Sequence, residues 1–197
     1  MIAGIILAAG ESSRMRRDKA LLTYRGQSFL ETIVKNLAAA GIERVVVVLG
    51  HHADLIESKV NLGGAQVVVN QDYGRGQTSS LQAGIAALAA EPPDAVMLCL
   101  VDHPAVTPEV MTKLIARFEA TRATVIVPTF QGERGHPVVI GKTLFVELQA
   151  LLPSEGANTV IRKYRDTAEL VEVNDRGILI DVDEPRTYER LEESNRA

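Results

Sequence analysis

Short runs of aliphatic residues recur along this chain, and each is followed by a segment with helical spacing. Residues 2–7, 44–49, 66–69, 94–101 and 124–128 are apolar runs of strand length, and 44–49 is almost wholly β-branched. Between them, residues 27–40 carry Leu30, Ile33, Val34 and Leu37 on one helical face and stop at Gly41. Residues 53–59 and 78–90 give two further helices, and Thr107-Pro108-Glu109 opens another that runs to about Glu119, with a capping hydroxyl and proline at the first helical position. Strand and helix in strict alternation predict an α/β fold, a mostly parallel sheet with helices on both faces, that is, a Rossmann-like three-layer α/β/α sandwich. The last third is less regular. Residues 135–140, 170–173 and 177–181 read as strands, and 142–151, 158–164 and 184–193 as helices. A single domain over residues 1–197 is expected, with 1–130 as the nucleotide-binding core and 131–197 as an extension that completes the site.

The 197 residues are 46% apolar but only 4% aromatic, with no Trp, so Val, Ile, Leu and Ala must fill the core. That mixture suits a buried parallel sheet under Ala-rich helices. A formal net charge of -4 argues against a nucleic-acid partner held by bulk electrostatics. The single cysteine, Cys99, lies inside an apolar run, reads as an inert core residue, and can form no intrachain disulfide. The apolar opening lacks a basic flank and reads as a first strand, and no run reaches membrane-spanning length, so a cytoplasmic protein without membrane contact is expected.

Ligands of open α/β sheets bind at the carboxyl ends of the strands. The first strand runs into Leu7-Ala8-Ala9-Gly10-Glu11-Ser12-Ser13-Arg14-Met15, followed by Lys19. Small residues let backbone N–H groups approach an anion, Arg14 offers a planar fork to phosphate oxygens and Lys19 a point charge. Neither a Walker loop nor a Gly-x-Gly-x-x-Gly fingerprint is present. A solvated basic loop is the plain alternative. After residues 66–69 comes Asn70-Gln71-Asp72-Tyr73-Gly74-Arg75-Gly76-Gln77-Thr78-Ser79-Ser80, a flexible turn whose hydroxyls either cap the next helix or contact a base or sugar. Asp102, at the tip of a central strand before His103-Pro104, is placed to hold Mg²⁺ against phosphates, or else simply to shape the turn. Period-two spacing sets Asp181 and Asp183 on one side of an extended chain, a better metal pair together than either alone. His136, between Gly135 and Pro137, has little core to join in such a loop and is a candidate for phosphate or acceptor contact. His51 and His52 read as surface residues.

Leu7-Ala8-Ala9-Gly10-x-Ser12-x-Arg14-Met15-x-x-x-Lys19 closely resembles the signature of the MobA-like NTP-transferase family of the nucleotide-diphospho-sugar transferase superfamily, which includes the molybdenum cofactor and sugar-phosphate nucleotidyltransferases. Arg16 stands where that family has glycine. Asn70-x-x-Tyr73-x-x-Gly76-x-x-Ser79-Ser80-Leu81 is similar to the nucleotide-side loop of the molybdenum cofactor branch, Asp102-His103-Pro104 to its Asp-Met-Pro motif, Gly135-His136-Pro137 to its Gly-His-Pro loop and Asp181-Val182-Asp183-Glu184-Pro185 to its Asp-Ile-Asp-Thr-Pro ending.

The resemblance implies a nucleotidyltransferase: CMP passes from CTP to the phosphate of molybdopterin, with Mg²⁺ and release of pyrophosphate. Ala8-Ala9-Gly10 is similar to the CTP-using form. Carried onto this sequence, Arg14, Lys19 and Asp102 are catalytic. Leu7, Ala8, Ala9, Gly10, Arg14, Lys19, Asn70, Gly76, Ser79 and Ser80 bind nucleotide, Asp102 with Asp181 or Asp183 holds the metal, and His136 meets the acceptor. Substrates are then small molecules, and a molybdenum hydroxylase of the xanthine dehydrogenase type is the partner enzyme to test. The rival readings are a guanylyltransferase, a sugar- or alcohol-phosphate nucleotidyltransferase, a non-catalytic protein that delivers molybdenum cofactor, and a plain α/β binding module.

Overall fold

The computed structural model of the protein describes residues 1–152 and 155–194. In chain order its elements are β1 (Ile2–Ala8), β2 (Thr23–Tyr24), β3 (Gln27–Ser28), α1 (Phe29–Ala39), β4 (Val45–Leu49), α2 (Ala53–Lys59), β5 (Gln66–Val69), α3 (Gln77–Ala87), β6 (Ala95–Leu100) and α4 (Pro108–Thr121). There follow β7 (Val125–Phe130), β8 (Glu133–Arg134), β9 (Val138–Gly141), α5 (Phe145–Gln149), α6 (Ala157–Lys163), β10 (Glu169–Glu172) and α7 (Pro185–Ser194).

The main sheet runs β10-β7-β9-β6-β1-β4-β5, with β8 paired to β7 off that path. β1 pairs in parallel with β4 and β6, β4 with β5, and β10 with β7. β9 is antiparallel to both of its neighbours. Side chains alternate across this sheet and make two separate layers. Ile6, Val47, Met97 and Cys99 face one side and pack with Leu30, Ile33 and Leu37 of α1 and Val110, Met111 and Leu114 of α4. Ile5, Val46, Val48 and Leu98 face the other and meet Leu81 and Ile85 of α3, Leu148 of α5 and Val160 of α6. Full burial of each such aliphatic side chain contributes about 1.5–3 kcal/mol, so the all-apolar central strands are the chief source of cohesion. The expected three-layer α/β/α sandwich is the observed one. No helix among the described residues is long and apolar enough to cross a membrane.

A smaller third cluster joins Met15, Leu22, Tyr24 and Phe29 to Val182 and Leu191. It fastens the loop after β1 to the segment that precedes α7, two stretches far apart in sequence.

Several sequence expectations change in detail. Residues 27–28 are a short strand and α1 starts at Phe29, because Ser28 and Glu31 form a reciprocal capping box there. Thr107 caps no backbone N–H; its hydroxyl donates to Asp175 Oδ2 at 2.9 Å. Residues 142–151 split into a 3₁₀ turn, Lys142–Leu144, and α5. Residues 177–181 are not a strand. Asp175 accepts from the Gly177 N–H at 2.7 Å, which winds Arg176–Leu179 into a 3₁₀ turn. Alternating apolarity at Ile178 and Ile180 imitates a strand, but that local hydrogen bond decides the conformation.

Candidate active site

The loops after β1, β4, β5 and β6 surround a cavity of about 340 Å³. Its lining includes Leu7, Ala8, Ala9, Gly10, Arg14, Lys19, Gly76, Ser80, Asp102 and Asp183, all of them expected from the sequence. Ser12 and Tyr73, motif positions given no site role from the sequence, also line it, as do Ser13, Asp18 and Gln77, which sequence reasoning did not single out. A polar residue in a loop carries no mark of the direction it faces until the loop is folded.

The loop after β1 leaves its strand at Ala8 and folds back on itself. Ser12 Oγ accepts from the Lys19 N–H at 3.2 Å, and Ser12 O accepts from the Arg16 N–H at 3.0 Å. Arg16 adopts φ 53°, in the left-handed region that glycine enters without steric cost. Buried Met15 anchors the loop in the third cluster, leaving Arg14 free to face the cleft.

Lys19 is the electrostatic centre. Its side chain is only 10% exposed. The ammonium donates to Asp102 Oδ2 at 3.1 Å and to Asp183 Oδ1. Burial alone would lower its pKa, yet the hydrogen bond to Asp183 and the charges of both carboxylates outweigh that, and the net shift is upward. Arg14 donates to Asp183 Oδ2 at 2.6 Å. Hydrogen bonding to Lys19 in turn holds the Asp183 carboxyl below its ordinary value.

The Val182 N–H donates to Asp102 O at 2.9 Å and the Val182 side chain is fully buried, so Asp181 and Asp183 flank a fixed point. They serve different neighbours. Asp183 meets Lys19 and Arg14. A carboxylate oxygen of Asp181, one of Asp102 and a ring nitrogen of His103 lie within 4.8 Å of one another. Asp102 Oδ1 is buried and has no hydrogen-bond partner. Desolvation, then the negative charges of Asp102 and Asp183, push the Asp181 carboxyl up to about 6. A carboxylate oxygen without a donor, beside a second carboxylate whose ionisation is resisted, is the arrangement that a divalent cation relieves. The residues therefore fit a metal, and of the two late aspartates Asp181 is the one on hand to hold it.

Four sequence-predicted residues lie outside the cavity lining: Asp181, at its edge beside Asp102, and Asn70, Ser79 and His136. Asn70 is buried, and its Nδ2 donates to Ser79 Oγ at 2.9 Å and Ser80 Oγ at 3.0 Å while its Oδ1 accepts from the Asp72 N–H at 3.0 Å. Ser79 spends its hydroxyl on Asp72 O and Gly76 O. Both shape the wall that presents Tyr73, Gly76 and Ser80. His136 lies beside a small apolar recess lined also by Cys99, His103 and Pro137. It does have a neighbour to join: its ring packs against His103 with centroids 4.9 Å apart. Desolvation, then the charge of His103, push His136 down to about 4. Desolvation likewise lowers His103, against the pull of Asp102. Gly135 is needed at this contact, since a Cβ there would stand 2.4 Å from Ile178 O. His51 and His52 do not simply face solvent but turn toward Asp18.

Residues 4–168 match the family model described as the MobA-like NTP transferase domain. This chain belongs to that family. Among curated relatives, it is 30% identical over 197 residues to Nicotine blue oxidoreductase of Paenarthrobacter nicotinovorans, covering 96% of each chain. It is 27% identical to the Molybdenum cofactor cytidylyltransferase of Escherichia coli strain K12, covering 93% of this chain and 92% of the relative. Among solved structures, Rv0371C of Mycobacterium tuberculosis H37Rv in complex with manganese superposes with a TM-score of 0.83 at 29% identity, covering 98% of each chain. The MobA-like family is one of nucleotidyltransferases, and the cleft lies where its parallel strands end.

Proposed function

We propose that the protein catalyses divalent-metal-dependent transfer of CMP from CTP to the phosphate of molybdopterin, releasing pyrophosphate. One observation carries this reading: a buried lysine bridges two aspartates in the cleft, with an arginine beside it and an unpartnered carboxylate oxygen next to it. Phosphoryl-group chemistry is largely a matter of positioning anions and neutralising charge, and this cluster has the means for both. The cytidine choice draws support from Ala8-Ala9-Gly10 and from the likeness to a protein named molybdenum cofactor cytidylyltransferase.

In this mechanism Arg14 and Lys19 exchange their carboxylate partners for oxygens of the triphosphate. They hold the β- and γ-phosphates and neutralise the leaving pyrophosphate. Ala8, Ala9 and Gly10 leave room for the base and the α-phosphate against the backbone. Asp102 and Asp181, with His103 adjacent, would hold the divalent cation, Mg²⁺ in the first instance. When bound, the cation would supply positive charge that offsets the phosphate anions. An acceptor phosphate oxygen attacks the α-phosphorus as the bond to the β-phosphate oxygen breaks. That acceptor is already ionised near neutral pH, so no side chain need take a proton. The extension that begins at residue 131 serves the acceptor side, and His136, packed against His103, meets the acceptor there.

The test is a thermal-shift series with CTP, GTP, UTP and ATP, each with and without Mg²⁺ or Mn²⁺, followed by pyrophosphate release with molybdopterin as acceptor. Ligand at 100 times its dissociation constant stabilises by about 2.7 kcal/mol, an easily read shift. CTP should stabilise selectively and only with metal. A GTP-selective shift would reassign the base, and stabilisation without turnover would favour a delivery protein. NADH and NADPH belong in the same series because of the relative named an oxidoreductase, although this chain has no Gly-x-Gly-x-x-Gly fingerprint.

A further inference from the structure

Asp18 lines the cleft one residue before Lys19, and two consecutive imidazoles converge on it. His52 Nδ1 stands 3.1 Å from Asp18 Oδ2 and 3.3 Å from Oδ1. His51 Nδ1 stands 3.8 Å from Asp18 Oδ1. One donor atom from each of the three residues lies within 4.8 Å of the other two. The histidine rings lie close together, centroids 3.7 Å apart with their planes tilted by 39°.

The backbone builds this convergence. Gly50 follows β4 so close to the turn after β5 and the loop after β1 that a Cβ would stand 2.6 Å from Tyr73 Cβ and 2.8 Å from Ala9 O. The next N–H, of His51, donates to Ala9 O at 3.1 Å. Consecutive side chains of an extended chain point to opposite sides. His52 takes φ 52°, in the left-handed region, and its ring lies beside that of His51. A hydrogen bond with Asp18 accounts for His52 alone. It leaves His51 Nδ1 buried and without a partner, a state that costs free energy unless something else meets that nitrogen.

We propose that Asp18, His51 and His52 form a three-ligand site for a divalent cation of the zinc class, separate from the Asp102–Asp181 centre. Ligand atoms of a tetrahedral zinc ion, bonded at about 2.0–2.1 Å, stand about 3.3 Å apart, and from Asp18 Oδ1 the two imidazole nitrogens stand at 3.3 Å (His52) and 3.8 Å (His51). Two imidazole nitrogens and one carboxylate suit zinc, cobalt or nickel, whereas magnesium prefers oxygen donors. Three protein ligands leave a fourth position for water or an anionic oxygen such as that of a phosphate. An ion here would tie the phosphate-facing loop to the end of β4.

The test uses the full-length protein, freed of metal by a chelator and titrated with Co²⁺, whose visible spectrum reports ligand type and geometry. One equivalent should give the intense bands of a four-coordinate nitrogen–oxygen site, and should still do so in Asp102→Asn/Asp181→Asn. His51→Gln/His52→Gln should lose that spectrum. His52→Gln alone, at the more exposed of the two rings, should weaken Co²⁺ by more than the roughly 10- to 100-fold typical of losing a ligand's supporting partner, and serves if the double variant fails to fold. The proposal is overturned if the glutamine variants titrate like the parent, or if the spectrum disappears in Asp102→Asn/Asp181→Asn while surviving in His52→Gln. No nucleotide enters this measurement, so its failure would leave the transferase reading untouched, and failure of that reading would leave the Co²⁺ result standing.

Discussion

The two walls of the cleft solve opposite problems. On one, Arg14, Lys19, Asp102 and Asp183 are joined by ion pairs that leave one Asp102 oxygen unpartnered, and each cation must leave a carboxylate before it can hold a phosphate. On the other, Asn70, Ser79 and the backbone between them are joined by neutral hydrogen bonds that a substrate has no need to break. The charged wall is a reservoir of partners to exchange. The neutral wall is a template already set. Mutations on the first should therefore act on turnover, and mutations on the second on stability and affinity.

The largest expected effect is that of Lys19→Ala, which removes the charge shared by two carboxylates. Turnover should fall roughly 10³-fold, the upper end for loss of one preorganised electrostatic contact, measured as pyrophosphate release at saturating CTP. A fully active Lys19→Ala would end the distinction between the walls. Asp102→Asn comes next, with a loss of about 10²-fold and a weaker dependence on metal concentration. On the neutral wall, Asn70→Ala should cost about 1–3 kcal/mol of stability by leaving buried groups unpaired, visible in a denaturant melt. Its kcat should change far less than its KM. A variant that lost kcat and kept its melting point would place Asn70 among the reacting groups instead.

A pH series sharpens the same contrast. The Asp181 carboxyl is raised from 3.8 to about 6 in the folded chain, so its ionised form is disfavoured there. Metal-free protein should therefore lose stability as pH rises from about 4 through 6, with the sign opposite to that of a salt-bridged aspartate. Added Mg²⁺ should restore stability over that window, and Asp181→Asn should remove both trends in thermal melts. The smallest effect is expected of His103→Met. It should leave the fold intact and reduce the preference for Mn²⁺ over Mg²⁺, since an imidazole beside Asp102 favours the former. Competition between the two ions, followed by Mn²⁺ electron paramagnetic resonance, reads it directly.

Much of this arrangement was legible from residue order, because parallel topology gathers the ends of separate strands along one edge and so assembles Gly10, Lys19 and Asp102 without further information. The division of labour between Asp181 and Asp183 was not, since period-two spacing assigns them the same side and only the burial of Val182 sets which carboxylate meets which neighbour. The inward bonds of Asn70 and Ser79 were not legible either, because a polar side chain at a turn or the first turn of a helix can bond inward as readily as outward. The false strand at 177–181 shows the same limit: apolar alternation reports burial, and one aspartate–backbone bond at Gly177 redirected the chain. His51, His52 and Asp18 gave no pattern at all, since their meeting depends on the close approach of Gly50 to Ala9.

β9 runs against its neighbours, pairing Val138 with Leu98 and Gly141 with Ala95. A reversed strand begins where the others finish, so the hairpin that feeds it opens onto the same rim as the loops after β1 and β6. Lengthening or re-sequencing that hairpin would reshape one flank of the rim while the loops after β1 and β6 kept their anchors, so on the proposed function acceptor choice and nucleotide choice would be separately adjustable.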